Sequence, residues 1–200
     1  MTSFWDEVYS ENPYAYGETP NGFFAACLDQ LARGTLLLPG EGPGRNALYA
    51  AGRGWTVTAF DASPVAVEQA CSKAEELGLE IDFRQATYDD FAVEGHRFSA
   101  LAFIFTHQPN TIRRAMHRRF LTCLQPGGHL IAEYYHRDQL ELGTGGPKDL
   151  GMLYELDDLK EDFPEIHFQV AEHVEVELSE GSMHRGRSSL LRLFGQKAES

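Results

Sequence analysis

A glycine-rich segment directly after a short apolar run constrains the fold of this chain more than any other feature. Residues 36–46 read LLLPGEGPGRN. The three leucines predict a buried strand, and the glycines that follow are Gly40, Gly42 and Gly44. Without a Cβ atom, glycine lets the backbone turn tightly and approach a ligand closely. A helix predicted to begin near Arg45 would direct its first, unpaired N–H groups at this loop. The segment therefore predicts a strand, a nucleotide-binding loop and a helix in succession.

An acidic residue lies at the end of the next predicted strand. Residues 55–60 are rich in the β-branched and aromatic side chains that suit a buried sheet, and Asp61 follows them. An acid about 20 residues past the glycines, at the end of a neighbouring strand, is placed to accept hydrogen bonds from ribose hydroxyls. The alternative is that Asp61 caps the next helix. Ser63 followed by Pro64 supplies a cap and a first-turn residue for that helix, which favours ribose binding.

The spacing of the glycines distinguishes between classes of nucleotide ligand. A dinucleotide fingerprint has the spacing G-x-G-x-x-G, whereas this loop reads G-x-G-x-G. Arg45 stands where the third glycine of a dinucleotide site would permit close packing of helix against strand. A nicotinamide-dependent oxidoreductase is therefore a disfavoured alternative.

Strand and helix patterns alternate along most of the chain after residue 35. Further strands are predicted over residues 81–86, 98–105 and 129–135, and helices over residues 23–33, 67–77 and 112–124, with Pro-Gly-Gly at 126–128 ending the last. Residues 170–178 and 191–194 alternate around a turn at Glu180-Gly181, which predicts an antiparallel hairpin. The pattern predicts an α/β fold with a mostly parallel sheet covered on both faces.

Chain length favours one domain. Two hundred residues suffice for a single substantial core but not for separate cofactor and substrate domains. We therefore predict one domain over residues 1–200, with a helical cap or lid over residues 1–34 and a core over residues 35–200. The aromatic-rich residues 4–16 would form the cap.

Charge favours a small-molecule substrate. The formal net charge is −13, which opposes binding to nucleic acid or to an anionic membrane. The largest cationic cluster has helical spacing and is predicted to form an ordinary solvated helix face. It comprises Arg113, Arg114, His117, Arg118 and Arg119.

Targeting signals and cysteine pattern favour the cytoplasm. The chain begins without a basic segment and apolar core, and it has no run of about 18 apolar residues, so neither export nor membrane insertion is expected. Cys27, Cys71 and Cys123 are predicted to be buried free thiols, and no metal site is predicted.

Ligands of open parallel sheets lie across the carboxyl ends of the strands, so the residues after each strand are the candidate site. They are residues 40–46, Asp61, Ala62 and Ser63, residues 86–88, residues 106–109 and residues 134–136. His107 is the predicted proton acceptor, because an imidazole with a pKa of about 6.5 suits a general base. The alternative, a structural histidine held by hydrogen bonds, is equally open.

Two later segments follow strands on the ligand side. His184 and Arg185 come just after the hairpin turn, where they would either reach over the substrate side or lie in an exposed turn, and the exposed turn is favoured. Residues 143–149, GTGGPKD, are too rich in glycine for regular structure. They predict either a lid over the ligand or a plain solvent loop.

The glycine loop and the acid after the second strand resemble those of class I S-adenosylmethionine-dependent methyltransferases. Further motifs resemble the tellurite-resistance and thiopurine methyltransferase-like branch of small bacterial enzymes. They are Trp5-Asp6-Glu7, Tyr14-Ala15-Tyr16-Gly17, Pro20-Asn21 and residues 41–47, 61–64 and 143–149. The resemblance spans nearly the whole chain. It implies a Rossmann-like three-layer sandwich with seven strands, S-adenosylmethionine as cofactor, and a small or soft acceptor such as a thiol, thiopurine or metalloid oxyanion.

The resemblance also implies roles for individual residues. Gly40, Gly42 and Gly44 accommodate the methionine part of the cofactor, and Asp61 binds its ribose. Ala62, Thr87 and Tyr88 border the adenine, and Phe105 and His107 face the reacting centre. The other predicted cofactor-binding residues are Glu41, Arg45, Asn46 and Ser63. Glu41 would replace the acid that many class I enzymes have two positions before the first glycine, where this chain has Leu38.

The sequence leaves two points open. The acceptor and the oligomeric state are not specified by any motif. A protein that binds the cofactor without catalysis, as a sensor of the ratio of donor to product, is an alternative to an enzyme.

Overall fold

A computed structural model describes residues 4–199. Its strands are β1 Thr35–Pro39, β2 Thr56–Asp61, β3 Asp82–Gln85, β4 Phe98–Ile104, β5 Leu124–Tyr135, β6 Ile166–Glu180 and β7 His184–Lys197. Its α-helices are α1 Phe4–Glu11, α2 Gly22–Leu28, α3 Arg45–Gly52, α4 Pro64–Glu76, α5 Asn110–Leu121, α6 Gln139–Leu142 and α7 Leu156–Asp162. A single 3-10 turn spans Leu150–Met152. None of the helices within residues 4–199 has the length and apolar character needed to cross a bilayer.

The strands form one seven-stranded sheet in the order β3-β2-β1-β4-β5-β7-β6. Strands β1 to β5 run parallel, whereas β7 pairs antiparallel with β5 and with β6. This confirms the predicted parallel sheet with its antiparallel hairpin. The chain leaves β1 toward β2 on one side and returns to β4 on the other, which makes the gap between β1 and β4 a switch point. A crevice for a ligand is expected above that gap.

Helices cover both faces of the sheet, as the Rossmann-like three-layer prediction requires. Successive strand residues point to opposite faces. In β1, Leu37 packs in a core with the helices α5 and α7, whereas Leu36 and Leu38 pack in a second core with α2 and α3. The apolar run of β1 is therefore buried on both sides, which fixes the position of the glycine loop at its end.

Two predicted helix boundaries are wrong. Helix α5 ends at Leu121 rather than 124, and the Pro-Gly-Gly of residues 126–128 lies inside β5 instead of ending a helix. The register of β4 against β5 shifts between Phe98 and Ala100, so the extra residues are absorbed as an irregularity in the strand pair. Helix α2 ends at Leu28, five residues before the predicted end at 33.

Part of the predicted surface is buried. Arg113 and His117 face Asp162 of α7, with Arg113 Nε 2.7 Å and His117 Nδ1 2.8 Å from its Oδ2 atom. All three side chains are almost fully buried, so the prediction of a solvated cationic face is wrong for Arg113 and His117. Burial raises the pKa of Asp162, but hydrogen bonds from His117 and Arg113 outweigh this effect and lower that pKa overall.

The prediction of a buried thiol is wrong for Cys71, which is exposed.

Candidate active site

A cavity of about 1640 Å³ opens at the carboxyl ends of the parallel strands, above the gap between β1 and β4. Its walls come from the segments after β1, β2, β3 and β4, from α1, from residues 143–149 and from the turn between β6 and β7. All but two of the predicted cofactor-binding residues line it. The two that do not line it are Gly44 and Ser63.

The three glycines of the loop lie close to different side chains. Gly40 and Gly42 both have a φ of +62°, which L side chains rarely adopt. A Cβ atom on Gly40 would lie 2.1 Å from Tyr88 Oη, and one on Gly42 would lie 2.8 Å from Tyr9 Oη. Gly44 instead faces helix α4, where a Cβ atom would lie 2.9 Å from a side chain. The first two glycines therefore let the loop approach two tyrosine hydroxyls in the cavity wall, and the third permits helix packing.

Asp61 ties the end of β2 to the glycine loop. Its Oδ2 accepts a hydrogen bond from the Gly42 amide at 2.8 Å, and its Oδ1 accepts one from the Ser63 amide at 2.9 Å. Burial raises the pKa of this carboxyl group, and the backbone hydrogen bonds oppose that rise. The cap of α4 is Ser63, whose Oγ accepts from the Ala66 amide at 3.3 Å. Asp61 therefore does not cap α4, and it lines the cavity.

Glu41 occupies the start of α3. Its Oε1 accepts hydrogen bonds from the amides of Asn46 at 2.7 Å and Ala47 at 2.9 Å, and its Oε2 accepts from Asn46 Nδ2 at 3.1 Å. The helix amides that we expected to face an anionic ligand group are thus already paired with a carboxylate of the chain itself. Burial raises the pKa of Glu41 to about 7 although these hydrogen bonds lower it.

The three residues that were predicted to border the adenine all line the cavity. Ala62, Thr87 and Tyr88 form part of its wall. Thr87 Oγ1 donates a hydrogen bond to Asp90 at 2.7 Å. Burial raises the pKa of the Tyr88 hydroxyl, which is therefore a neutral group at the cavity wall.

An ionic network joins α3 to the hairpin and to the N-terminal segment. Arg45 Nη1 lies 2.8 Å from Glu180 Oε2 and donates to the Tyr16 carbonyl at 2.8 Å. Asn21 Nδ2 donates to Glu180 Oε1 at 3.1 Å and also binds Glu133 of β5. These contacts draw the beginning and the end of the described chain together at one side of the cavity.

His107 is held by the backbone. Its Nδ1 lies 2.6 Å from the Met152 carbonyl, and its Nε2 accepts a hydrogen bond from the Tyr135 amide at 3.1 Å. Since an amide only donates, Nε2 is the acceptor and Nδ1 carries the proton. Burial lowers the pKa of His107 to about 4, so the ring is neutral. With both nitrogens engaged, this geometry favours the structural alternative for His107 over the predicted proton acceptor.

His184 is not in an exposed turn, so that prediction is wrong. It is the first residue of β7, is 5% exposed, and packs against the rings of Tyr16 and Phe105 at centroid distances of 4.5 and 4.3 Å. Burial lowers its pKa to about 3. Residues two positions apart in a strand lie on the same face, so His184 shares a face with the buried Ser188 and Leu190. This alternation is the signal in the sequence for a buried His184. Arg185 is exposed, as expected.

Phe105 adopts a backbone conformation that is rare for its type. Its φ of +55° is the only positive value at a non-glycine position within residues 4–199. Its ring contacts both Tyr135 and His184, with centroid distances of 4.9 and 4.3 Å. Such conformations cost of order 1–3 kcal/mol and cluster at functional sites.

The glycine-rich segment over residues 143–149 closes against Tyr135. A Cβ atom on Gly146 would lie 2.8 Å from the Tyr135 ring, and one on Gly145 would lie 2.4 Å from the Met183 carbonyl. The absence of side chains at these two positions lets the segment cover the ring and line the cavity. Its action as a lid stays a prediction.

One group outside this cavity brings possible metal ligands together. Ligand atoms of His136, Asp138 and His173 lie within 4.8 Å of one another. The ring centroids of His136 and His173 lie 3.9 Å apart with the ring planes tilted by 31°, and His136 Nδ1 accepts a hydrogen bond from the Asp138 amide at 3.2 Å. His173 Nε2 lies 2.7 Å from the Ser189 hydroxyl. These contacts account for the group without an ion.

Comparison with known proteins connects this geometry to a class. Residues 37–128, from β1 through the beginning of β5, match the family model described as a methyltransferase domain. The match covers just under half of the chain, so it shows similarity to a methyltransferase domain over that region. The matched region contains the glycine loop and Asp61.

Relatives of known structure share the fold of the methyltransferase domain. A protein studied for the conversion of a disulfide bond into a thioacetal group during echinomycin biosynthesis superposes with a TM-score of 0.79 at 21% identity, covering 99% of this chain and 92% of that one. The N-methyltransferase NodS from Bradyrhizobium japonicum WM9, in complex with S-adenosyl-L-homocysteine, superposes with a TM-score of 0.73 at 14% identity, covering 98% and 100%.

A relative with an assigned acceptor is similar over part of its length. The 2-heptyl-1-hydroxyquinolin-4(1H)-one methyltransferase of Mycobacteroides abscessus is 24% identical over 145 residues, which are 71% of this chain and 64% of that protein. The match therefore leaves about a third of that relative without a counterpart in the alignment.

Proposed function

We propose that this protein transfers a methyl group from S-adenosylmethionine to a small molecule with a flat aromatic body. The observation that carries this proposal is the carboxylate of Asp61, bound to the Gly42 amide at 2.8 Å on the wall of a cavity of about 1640 Å³. Pockets for one small ligand are typically about 300–1,000 Å³. The larger volume supports simultaneous binding of a cofactor and an acceptor.

The cofactor would lie over the glycine loop. Gly40 and Gly42 let the loop pass close to the hydroxyls of Tyr88 and Tyr9, and the methionine and ribose parts would lie against the backbone of this loop. Asp61 would accept hydrogen bonds from the ribose hydroxyls with the lone pairs that the backbone amides leave free. Ala62, Thr87 and Tyr88 would border the adenine, as their place on the cavity wall allows.

The acceptor would lie at the other end of the cavity, against an aromatic cluster formed by Tyr16, Phe105, Tyr135 and His184. The rings of this cluster lie 4.3–5.6 Å from their neighbours. Such surfaces bind flat apolar rings through area and stacking. The quinolone named for the Mycobacteroides relative has this form, which supports an aromatic acceptor.

When bound, the cofactor supplies a methyl group already activated by its sulfonium. The protein's share is to align the acceptor and to exclude water. Helix α1 and residues 143–149 would cover the cavity. Tyr9 of α1 is held by its carbonyl, which accepts a hydrogen bond from Gln69 Nε2 of α4 at 2.9 Å.

Placement in the tellurite-resistance and thiopurine methyltransferase-like branch is part of the proposal. The N-terminal motifs that resemble this branch form α1 and the turn before α2, next to the cavity. Thiols, thiopurines and metalloid oxyanions therefore belong in any acceptor panel. We also propose a cytoplasmic location, because Cys27, Cys71 and Cys123 are all free, as is usual in a reducing compartment.

Binding and turnover test the proposal separately. Calorimetry on the full chain with S-adenosylmethionine, S-adenosylhomocysteine and NADH should show binding of the first two and not of the third. Absence of binding to both sulfur nucleosides at millimolar concentration would contradict the cofactor assignment. Methyl transfer to 2-heptyl-1-hydroxyquinolin-4(1H)-one, simple phenols, thiols, thiopurines or metalloid oxyanions identifies the acceptor class. Binding without transfer to any of them favours the sensor.

A further inference from the structure

We propose that His184 receives the proton of the methyl acceptor and that the hydroxyl of Tyr135 is the second polar contact of the same acceptor subsite. This inference rests on the proposed function. It assigns to β7, which lies between β5 and β6 in the sheet, a role that the residues after the parallel strands were expected to have.

Two buried polar atoms in this wall lack partners. Within residues 4–199, His184 Nδ1 and Tyr135 Oη have no hydrogen bond, although His184 is 5% and Tyr135 is 1% exposed. Buried polar groups are almost always paired in native proteins. Both residues line the cavity. Two adjacent unpaired groups in a cavity wall point to a ligand that supplies their partners.

The two groups belong to one surface. The ring centroids of Tyr135 and His184 are 5.6 Å apart, and both rings contact Phe105. Phe105 holds its ring there through the rare φ of +55°. A flat acceptor lying against Phe105 would present a polar edge to both groups together.

His184 is available for proton transfer where His107 is not. His107 uses Nδ1 and Nε2 for the Met152 carbonyl and the Tyr135 amide. His184 Nδ1 has no hydrogen bond within residues 4–199, so this nitrogen is open to a ligand. Burial lowers the pKa of His184, so the ring is neutral and its protonated form needs stabilisation by neighbouring groups. The ionisable or charged groups around it are Glu180, Arg45, His107, Tyr16 and Tyr135.

Glu180 is the positioning residue for His184. Its Oε2 atom lies 4.0 Å from His184 Nδ1, and the two residues are paired across the hairpin of β6 and β7. Arg45 and Asn21 hold this carboxylate in place. A carboxylate next to an imidazole favours its protonated form, which opposes the effect of burial and of Arg45 during the reaction.

The chemical step balances without a further reactant. The acceptor carries an X–H group on an aromatic ring, where X is oxygen or sulfur. As the bond from X to the methyl carbon forms, the bond from that carbon to the sulfonium sulfur breaks, and its electron pair stays on sulfur as a neutral thioether. The X–H proton passes to the imidazole of His184, which becomes the cation in place of the sulfonium. Water takes this proton after the product leaves.

The central test compares His184→Gln with His167→Gln, a matched change at an exposed histidine of β6. With the best aromatic hydroxyl or thiol of the acceptor panel, His184→Gln should lower kcat by about 10²–10⁴-fold, the range for loss of a general base. S-adenosylhomocysteine affinity should stay within twofold, and activity should recover as the pH exceeds the pKa of the acceptor. His167→Gln should match the unmodified protein. Unchanged kcat and pH profile in His184→Gln would overturn the proposal.

A second measurement does not depend on turnover. We expect 4-nitrophenol, whose absorbance differs between the hydroxyl and phenolate forms, to bind the complex with S-adenosylhomocysteine partly as phenolate below its own pKa. In Tyr135→Phe the probe should bind several-fold more weakly with the same phenolate fraction. In His184→Gln the phenolate fraction should be lost. A probe that stays fully protonated in every variant, or that does not bind at millimolar concentration, contradicts the subsite.

The outcomes separate the two proposals. Failure to bind S-adenosylhomocysteine in the unmodified protein refutes the proposed function itself. Normal cofactor binding with pH-independent loss of activity in His184→Gln assigns His184 a structural role and refutes only this inference.

Discussion

The carboxylate of Asp61 accepts a hydrogen bond from the amide of Gly42, with 2.8 Å between Oδ2 and N. This contact joins the end of β2 to the loop after β1. Asp61 Oδ1 is bound in turn by the Ser63 amide at 2.9 Å. Each carboxylate oxygen has a second lone pair. The acid is therefore fixed by the backbone while it keeps acceptor capacity for two hydroxyls.

Removal of this carboxylate should weaken cofactor binding. We expect Asp61→Ala to reduce the affinity for S-adenosylhomocysteine by about 1.5–3 kcal/mol, the usual value for hydrogen bonds to a charged group. Calorimetry measures the effect. Asp157→Ala, at a side chain that is 92% exposed on α7, is the control and should bind normally. An affinity of Asp61→Ala within twofold of the control would argue against ribose binding.

A side chain at Gly40 should impair binding more than one at Gly78. The two glycines have φ values of +62° and +65°, so alanine incurs a similar backbone cost of about 1–2 kcal/mol at either position. A Cβ atom at Gly40 would meet Tyr88 Oη at 2.1 Å, whereas nothing lies within 4 Å at Gly78. Gly40→Ala should therefore lose more stability than Gly78→Ala in thermal unfolding, because the clash adds to the shared backbone cost.

Only Gly40→Ala should also lose affinity for S-adenosylhomocysteine, by about tenfold or 1.4 kcal/mol. Adding Tyr88→Phe should restore part of it, because the clashing hydroxyl is then absent. Equal affinities in Gly40→Ala and Gly78→Ala would show that the loop does not contact the cofactor there.

Stability should depend on pH through Glu41. Its pKa is raised from 4.5 to about 7 in the native protein, so the native state binds a proton that the unfolded state has released between these values. This contribution is complete below pH 4.5 and is lost as the pH rises through about 7. Glu41→Gln lacks it.

The free energy of unfolding of the unmodified protein should therefore fall relative to Glu41→Gln by up to about 3.5 kcal/mol over that interval, at 1.4 kcal/mol per pKa unit. Urea unfolding at several pH values measures the difference. A constant difference from pH 4.5 to 8 would mean that Glu41 titrates normally.

Loss of the buried acid of α7 should be costly. Asp162→Ala leaves Arg113 buried without its partner, and breaking a buried ion pair in this way costs about 3–5 kcal/mol. The neighbouring Glu161→Ala removes a side chain that is 66% exposed and pairs with Arg114, so it should cost less than about 1 kcal/mol. Denaturant unfolding of both variants tests this, and similar losses would contradict the assigned burial.

The parts of the fold that the sequence predicted are those with local signals. The apolar run of β1, the glycines and Asp61 lie within 26 residues of one another, and their types alone indicate a strand, a tight turn and a carboxylate at a strand end. The alternating residues on either side of Glu180-Gly181 likewise predicted the hairpin, because their period of two matches a half-buried strand.

The missed features depend on partners that are distant in sequence. His117 and Asp162 are separated by 45 positions, and nothing in the local pattern of α5 indicates that an acid from another helix covers it. Arg45 and Glu180 meet only after the hairpin has folded back to α3. For His184, the alternation of the strand indicated its face, but its neighbours Tyr16 and Phe105 come from two other segments and had no local signal.

The order of the strands has a consequence for how the chain matures. Strand β7 follows β6 in the chain but lies between β5 and β6 in the sheet. During synthesis one edge of β5 therefore keeps unpaired backbone amides and carbonyls until β7 has been synthesised and pairs with it. Such open edges invite association between unfinished chains. Substitutions that slow formation of the hairpin should therefore reduce the yield of folded protein, even where the stability and activity of the folded molecules are unchanged.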